Sequence, residues 1–265
     1  MIDPGALADS HLHRAVRVTT LGERRGRDML IADDMAATAA GVGRCAAVDV
    51  GAMRHERLAG PHGEWARHVW TVREGARVAR ETIIEDGVAR CAALGVDFDT
   101  VVEREVADYL VHAPLGELRA GFGQLAAEPH AVLPDDFPDG ARHVADALHQ
   151  VWNGRRLSAL AGWAESVAWS GPDGRNGDRT GLQAWVVEVL ARYSDAALTI
   201  EAAAVADDAV SILWRLHGHD ARGSRVRLIG SSMLTLDARG RIIRDVTLID
   251  GVAAAVQERA VPIAY

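Results

Sequence analysis

The chain has 265 residues, of which 49% are hydrophobic and 25% charged, and its formal net charge is -8. That length is enough to bury one large core or two small ones, and the composition is that of a folded globular protein rather than a disordered one. The acidic balance argues against a nucleic-acid partner, because phosphate binding needs a basic surface, and no apolar run approaches the roughly 20 residues of a membrane-spanning helix. Lysine is absent, so all 29 basic residues are arginine, which excludes a Schiff-base lysine, pyridoxal phosphate attachment and a P-loop lysine. Cys45 and Cys91 are too few for a disulfide framework or a thiolate metal cluster. Residues 1–10 lack the apolar core of a secretory signal, so a cytoplasmic location is the default expectation.

In chain order, β-rich runs are predicted at residues 14–20, 29–38, 45–54, 65–73 and 77–85. Residues 98–125 read as helical. Residues 128–140, with three of the eight prolines among acidic side chains, read as a linker. Val144, Ala147, Leu148, Val151 and Trp152 keep the i, i+3, i+4, i+7, i+8 spacing of a helix with one buried face, and Asn153-Gly154 ends it. A short helix is expected over 157–163, a strand over 165–170, a turn-rich loop over 171–177 and a third helix over 180–192. From Ala197 the period becomes that of strands, with runs at 197–204, 209–219, 225–236 and 241–250. Helices followed by long antiparallel strands describe an α+β fold whose bent sheet wraps a pocket.

An internal repeat organises these elements. Aligned without a gap at an offset of 164, residues 70–91 match residues 234–255 at seven of 22 positions: Thr71, Arg77, Arg80, Asp86, Gly87, Val88 and Ala89 against Thr235, Arg241, Arg244, Asp250, Gly251, Val252 and Ala253. This suggests two tandem copies of one domain. The boundaries fall at residues 1–95 for a first copy that is degenerate for want of leading helices, 96–139 for a helical linker, and 140–265 for a complete second copy.

The second half resembles the SnoaL-like members of the nuclear transport factor 2 superfamily. The likeness is carried by VWNGRRLSAL (151–160), ESVAWSGPDGR (165–175), ILWRLHGH (212–219) and GRIIRDVTLID (240–250), in this order and spacing. The resemblance implies a conical α+β barrel around a small hydrophobic ligand, and the family includes polyketide cyclases, ketosteroid isomerases and epoxide hydrolases. In cyclase-like and epoxide-hydrolase-like members a last-strand Asp acts as acid or base. That position matches Thr247 here, and Asp245, two residues earlier on the same strand face, is the carboxylate that could replace it. The Arg and Asp that epoxide-hydrolase-like members carry two residues apart on an earlier strand match Arg215 and His217.

Arg215, His217 and Asp245 are therefore the catalytic candidates: an imidazole as general base, a carboxylate to orient it, and a guanidinium for a developing oxyanion. Set against this, Arg215 and His217 would be solvated or paired charges on the sheet's outer face. Trp169, Trp185, Trp214, Ser232 and Thr247 are expected to line the ligand cavity, or else to be core. In the first copy the ungapped alignment sets His68 and Glu81 against Ser232 and Asp245. The DSHLH run at 9–13 has the alternation of a metal-binding strand, but the chain lacks the surrounding (βα) pattern. The reading calls for no metal and no organic cofactor. It is a cofactor-independent enzyme of the polyketide cyclase/isomerase type acting on a hydrophobic carbonyl compound, or alternatively a non-catalytic ligand-binding or dimerisation module. The expected partners are a small hydrophobic molecule and a second copy in a homodimer, without nucleic acid or membrane.

Overall fold

The computed structural model describes residues 11–19, 22–25, 36–112 and 133–260. Six strands, β1 (His11–Thr19), β2 (Gly22–Arg25), β3 (Gly43–Val50), β4 (Met53–Gly60), β5 (Gly63–Glu74) and β6 (Arg77–Glu85), form the first sheet. Helices α1 (Gly87–Leu94) and α2 (Phe98–His112) follow. The second half comprises α3 (Arg142–Trp152), a 3-10 segment (Leu157–Gly162), β7 (Trp163–Ser170), β8 (Asn176–Gly177), α4 (Arg179–Arg192), β9 (Ala197–Ala206), β10 (Ala209–His219), β11 (Arg225–Leu236), β12 (Ile242–Ile249) and α5 (Gly251–Arg259).

The strand orders are β2-β1-β6-β5-β4-β3 and β8-β7-β12-β11-β10-β9, the same arrangement twice. The likeness extends to register. His11 pairs with Val78 and Val16 with Arg80 across a bulge, as Trp163 pairs with Ile242 and Ala168 with Arg244. Both of these contacts are parallel, so the sheets are mixed and not antiparallel throughout. Two sheets of one design are consistent with two copies of one fold. Neither closes into a barrel: bulges at Leu213/Trp214, Thr235/Leu236 and Ile242/Arg244 interrupt the second sheet's ladder, and bulges bend strands, yet its edge strands β8 and β9 do not pair.

Several boundaries differ from the sequence reading. The run predicted at 45–54 is split by a turn at Gly51-Ala52 into β3 and β4, and residues 36–39 are helical where a strand was expected. Helices α1 and α5 were not expected. Each begins at an aspartate cap: Asp86 accepts from the Ala89 N–H, and Asp250 from Val252 and Ala253. Such a cap contributes about 1 kcal/mol, enough to start a helix in an Ala-rich segment with little amphipathic signal. Residues 113–125 of the predicted helix lie outside the described residues.

Two cores result. One face of the second sheet packs under α3 and α4 in a cluster that includes Val144, Leu148, Trp152, Trp163, Trp169, Trp185, Ile212, Trp214 and Leu234. The other face meets the first sheet, where Val18, Val50, Met53, Trp70 and Ile84 pack against Ala204, Leu213, Ile229, Met233, Val246 and Leu248. The Trp70 indole N–H donates to Ser231 Oγ at 2.8 Å across this buried seam. The first sheet thus packs against the second, which is covered on both sides.

Candidate functional site: the cup of the second sheet

Side chains alternate across a strand, and directly paired residues share a face. Ile212, Ser232 and Thr247 are paired in this way, as are Val210, Leu234 and Asp245, so all six point into the cup under α3 and α4. Trp214 lies on the same face, opposite Gly230. A Cβ at Gly230 would fall 2.2 Å from Trp214 Cη2, so the indole lies flat only because this strand-centre residue has no side chain. Likewise a Cβ at Gly171 would fall 2.2 Å from Trp169 Cζ2.

Asp245 is 2% exposed and its oxygens are held by two donors. The Trp163 indole N–H reaches Oδ2 at 2.8 Å and the Thr247 hydroxyl donates to Oδ1 at 2.7 Å. The chain continues through Ser232 Oγ, 2.8 Å from Thr247 Oγ1, to the Trp214 indole N–H at 3.1 Å. With Thr247 donating to Asp245, Ser232 donates to Thr247 and Trp214 to Ser232, so every proton in the chain runs toward the carboxylate. Burial pushes the Asp245 pKa up to about 6, and the bonds from Thr247 and Trp163 pull the other way. A carboxylate tuned to that value can both accept and return a proton near neutral pH.

Of the residues singled out from sequence, Asp245, Thr247, Ser232, Trp214 and Trp185 line one cavity, and Trp169 packs against Trp185 with ring centroids 5.9 Å apart. Arg215 and His217 do not join them. They stand on the opposite face of β10 from Ile212 and Trp214, where Arg215 pairs with Glu201 at 2.5 Å. Burial and the charges of Arg227, Arg215 and Arg225 push His217 down to about 4. The sequence-derived trio is thus split between two faces of one sheet. Sequence reasoning missed Trp163, which sits at the very start of β7 and which the amphipathic pattern assigned to the end of a helix.

The cavity is small. Its volume is about 20 Å³, room for one water, because Leu148, Trp152, Leu160, Trp163, Trp185 and Trp214 fill the cup. The sequence-level picture of a guest-sized pocket at this place is not what the closed cup holds. Space of ligand size, about 350 Å³, adjoins it in a cleft between α4 and α5.

The first sheet carries a different lining at the equivalent places. By register, Glu81 takes the position of Asp245 and His11 that of Trp163, and His11 Nε2 lies 3.4 Å from Glu81 Oε1. Glu56 and Arg67 take the positions of Trp214 and Gly230 and form an ion pair at 2.5 Å. His68 matches Ser231, not Ser232: the β5–β6 hairpin is one residue shorter than β11–β12, since Val72 pairs with Arg80 but Thr235 with Arg244. One residue of offset moves a side chain to the other face, so His68 lies in the seam between the sheets. No cluster of three His, Cys, Asp or Glu side chains suited to a metal ion occurs among the described residues.

No curated protein matches the sequence. Among solved structures, the chain is similar to IdmH from Streptomyces antibioticus, a proposed polyketide cyclase, at 19% identity over 46% of this chain and 99% of that one, with a TM-score of 0.41. It is also similar to an NTF2-like protein of unknown function from Burkholderia pseudomallei, at 15% identity over 48% and 100% of the two chains, with a TM-score of 0.40. The family model of the SnoaL-like domain matches residues 144–245. The segment from the amphipathic face of α3 to the buried carboxylate on β12 is thus the part of the chain that is similar to the SnoaL-like domain.

Proposed function

We propose that the second half of the chain is a cofactor-independent acid–base catalyst of the polyketide cyclase/isomerase type, acting on a hydrophobic carbonyl compound, with Asp245 as the proton-transferring group. The observation that carries this reading is the placement of Asp245: a fully buried carboxylate, raised to about 6, with both oxygens bonded, at the floor of an apolar cup. In the reaction, the C–H bond next to the substrate carbonyl breaks, its proton passes to an Asp245 oxygen, and the electron pair moves onto the carbonyl oxygen as an enolate. The same carboxyl group then returns the proton to carbon. Trp163 and Thr247 hold the carboxylate in one orientation throughout, and the indoles of Trp152, Trp185 and Trp214 exclude water. The first half, in this reading a tandem copy spanning residues 1–95, supports the second sheet from behind. Its charged concave face, with Glu56, Arg67 and Glu81, does not suit an apolar substrate.

Deuterium incorporation from D2O at the position next to the carbonyl, followed by proton NMR over a panel of cyclic and aromatic ketones, tests this. Exchange by the wild type that falls at least 100-fold in Asp245→Asn supports the reading. Absence of exchange across the panel, or exchange retained in Asp245→Asn, overturns it. A second reading, a non-catalytic binding or scaffolding module, is favoured by one observation, the water-sized cavity in the closed cup.

A further inference from the structure

Two voids in the second half share a single wall. The cavity of about 20 Å³ touches Asp245, Ser232 and Thr247, whereas the cleft of about 350 Å³ runs between α4 and α5 and touches none of them. Among the described residues, Trp185 is the one side chain that lines both. Its indole is 6% exposed, packed edge-on against Trp152 with centroids 5.5 Å apart and tilted against Trp169 at 5.9 Å.

The cleft is lined by apolar side chains together with charged ones, Asp173 among them. Leu228, Ile249 and Ala254 line it, Val189 extends the α4 side, and α1 and α2 supply Val88 and Phe98. The arginines at its rim are already partnered: Arg175 with Glu188 through two bonds of 2.7 and 2.9 Å, Arg192 with Glu258, and Arg259 with Asp99. Such pairing disfavours an anionic guest, which would have to break an existing pair to find a partner, and fits an uncharged one.

Resting on the reading of Asp245 as the proton-transferring group, we infer that this cleft is the outer chamber of the same site. It holds the apolar body of an uncharged ring compound, and Trp185 is the partition whose indole moves aside for the carbonyl end to reach Asp245. A substrate of even modest size needs an order of magnitude more room than the inner cavity offers, and the cleft is adjacent space of the required scale. The same space can receive part of the displaced indole, which would give up its ring contacts with Trp152 and Trp169 and some of its core packing. Because Val88 lies in α1 and Phe98 in α2, both ahead of the second half, the complete chamber needs more of the chain than the second half alone.

Binding of 2-naphthol, an uncharged bicyclic molecule with one hydroxyl, to the full-length chain tests the inference, read by its fluorescence and by calorimetry. Trp185→Ala is expected to tighten binding at least tenfold at one site per chain, with Trp185→Phe intermediate and serving as the folded control should the alanine variant fail to fold. Ala255→Phe, which fills the cleft from α5 at a half-buried position, is expected to weaken binding at least tenfold. Binding that is unchanged in both Trp185 variants, or indifferent to Ala255→Phe, overturns the inference. Naphthol binding that responds as expected while no ketone exchanges deuterium supports the chamber and defeats only the catalytic reading of Asp245.

Discussion

His68 Nε2 lies 3.1 Å from His55 Nδ1 in the seam between the two sheets, so in the folded protein one imidazole donates and the other accepts. Burial lowers both pKa values, reinforced for His68 by the charge of His55 and for His55 by Arg244 of β12 and Arg57, with Glu56 opposing. Ser231 and Trp70 add dipoles but no charge.

The folded seam therefore favours neutral rings, whereas an unfolded chain takes up protons near pH 6.5. Stability from this pair is complete above that value and is lost as the pH falls. His217, at about 4, acts in the same direction. Urea unfolding at pH 7.5 and 5.5 should show a loss in the wild type that is about 1–2 kcal/mol smaller in His55→Leu/His68→Leu, at roughly 1.4 kcal/mol per pH unit for one group. Equal losses in both proteins would mean that the pair does not titrate over this range.

Asp245 carries the opposite linkage. Its folded value of about 6 lies above the ordinary 3.8, so the folded state holds its proton more tightly and stability is lost as the pH rises through that window. By pH 7 the cost is on the order of 2–3 kcal/mol for a fully buried group. Asp245→Asn retains the shape and an acceptor for Trp163. It should raise the unfolding free energy by about 1–3 kcal/mol at pH 7.5, with the gain shrinking toward pH 4, even as deuterium exchange disappears. A variant less stable than wild type at pH 7.5 would show instead that the bonds from Trp163 and Thr247 outweigh the burial of charge.

The strands and helices of the second half were readable because their apolar residues recur with the period of the element. β10 shows where that logic stops. Ile212 and Trp214 face the cup while Leu213 faces the first sheet, so both faces are apolar at the strand's centre and alternation does not say which side is the site. The sequence therefore left both faces open for Arg215 and His217, whereas Asp245 and Thr247 could be grouped because they stand two residues apart on one strand, with Ser232 beside them on the next. The ungapped repeat was equally sound for β6 and β12 and misplaced His68, because a one-residue difference in hairpin length leaves no mark on an alignment so short.

Glu56 is 3% exposed and bonded to Arg67 at 2.5 Å and Arg44 at 2.8 Å; burial alone would raise its pKa, but the two guanidiniums hold it below the usual value. Removing one partner of such a pair costs more than replacing both. Glu56→Ala should destabilise by about 2–4 kcal/mol, and Glu56→Leu/Arg67→Met by clearly less than the sum of its single changes. Additive losses in a double-mutant cycle would show the pair to be uncoupled.

Trp214 over Gly230 is the second sheet's counterpart of that ion pair, and it tests whether the cup's filling is set by steric fit. Any Cβ at position 230 meets the ring at 2.2 Å, and Trp214 is 1% exposed, wedged beside Trp152 with centroids 6.4 Å apart, so the indole has little room to retreat. Overpacking of this kind costs about 1–3 kcal/mol or more. Gly230→Ala should therefore lower the urea midpoint by that amount, and Trp214→Leu in the same chain should recover part of the loss by vacating the space the new methyl needs, although Trp214→Leu alone destabilises by leaving a void. The recovery is the decisive measurement. If the double variant is no more stable than the sum of its parts predicts, the cost at position 230 does not come from the indole that lies over it.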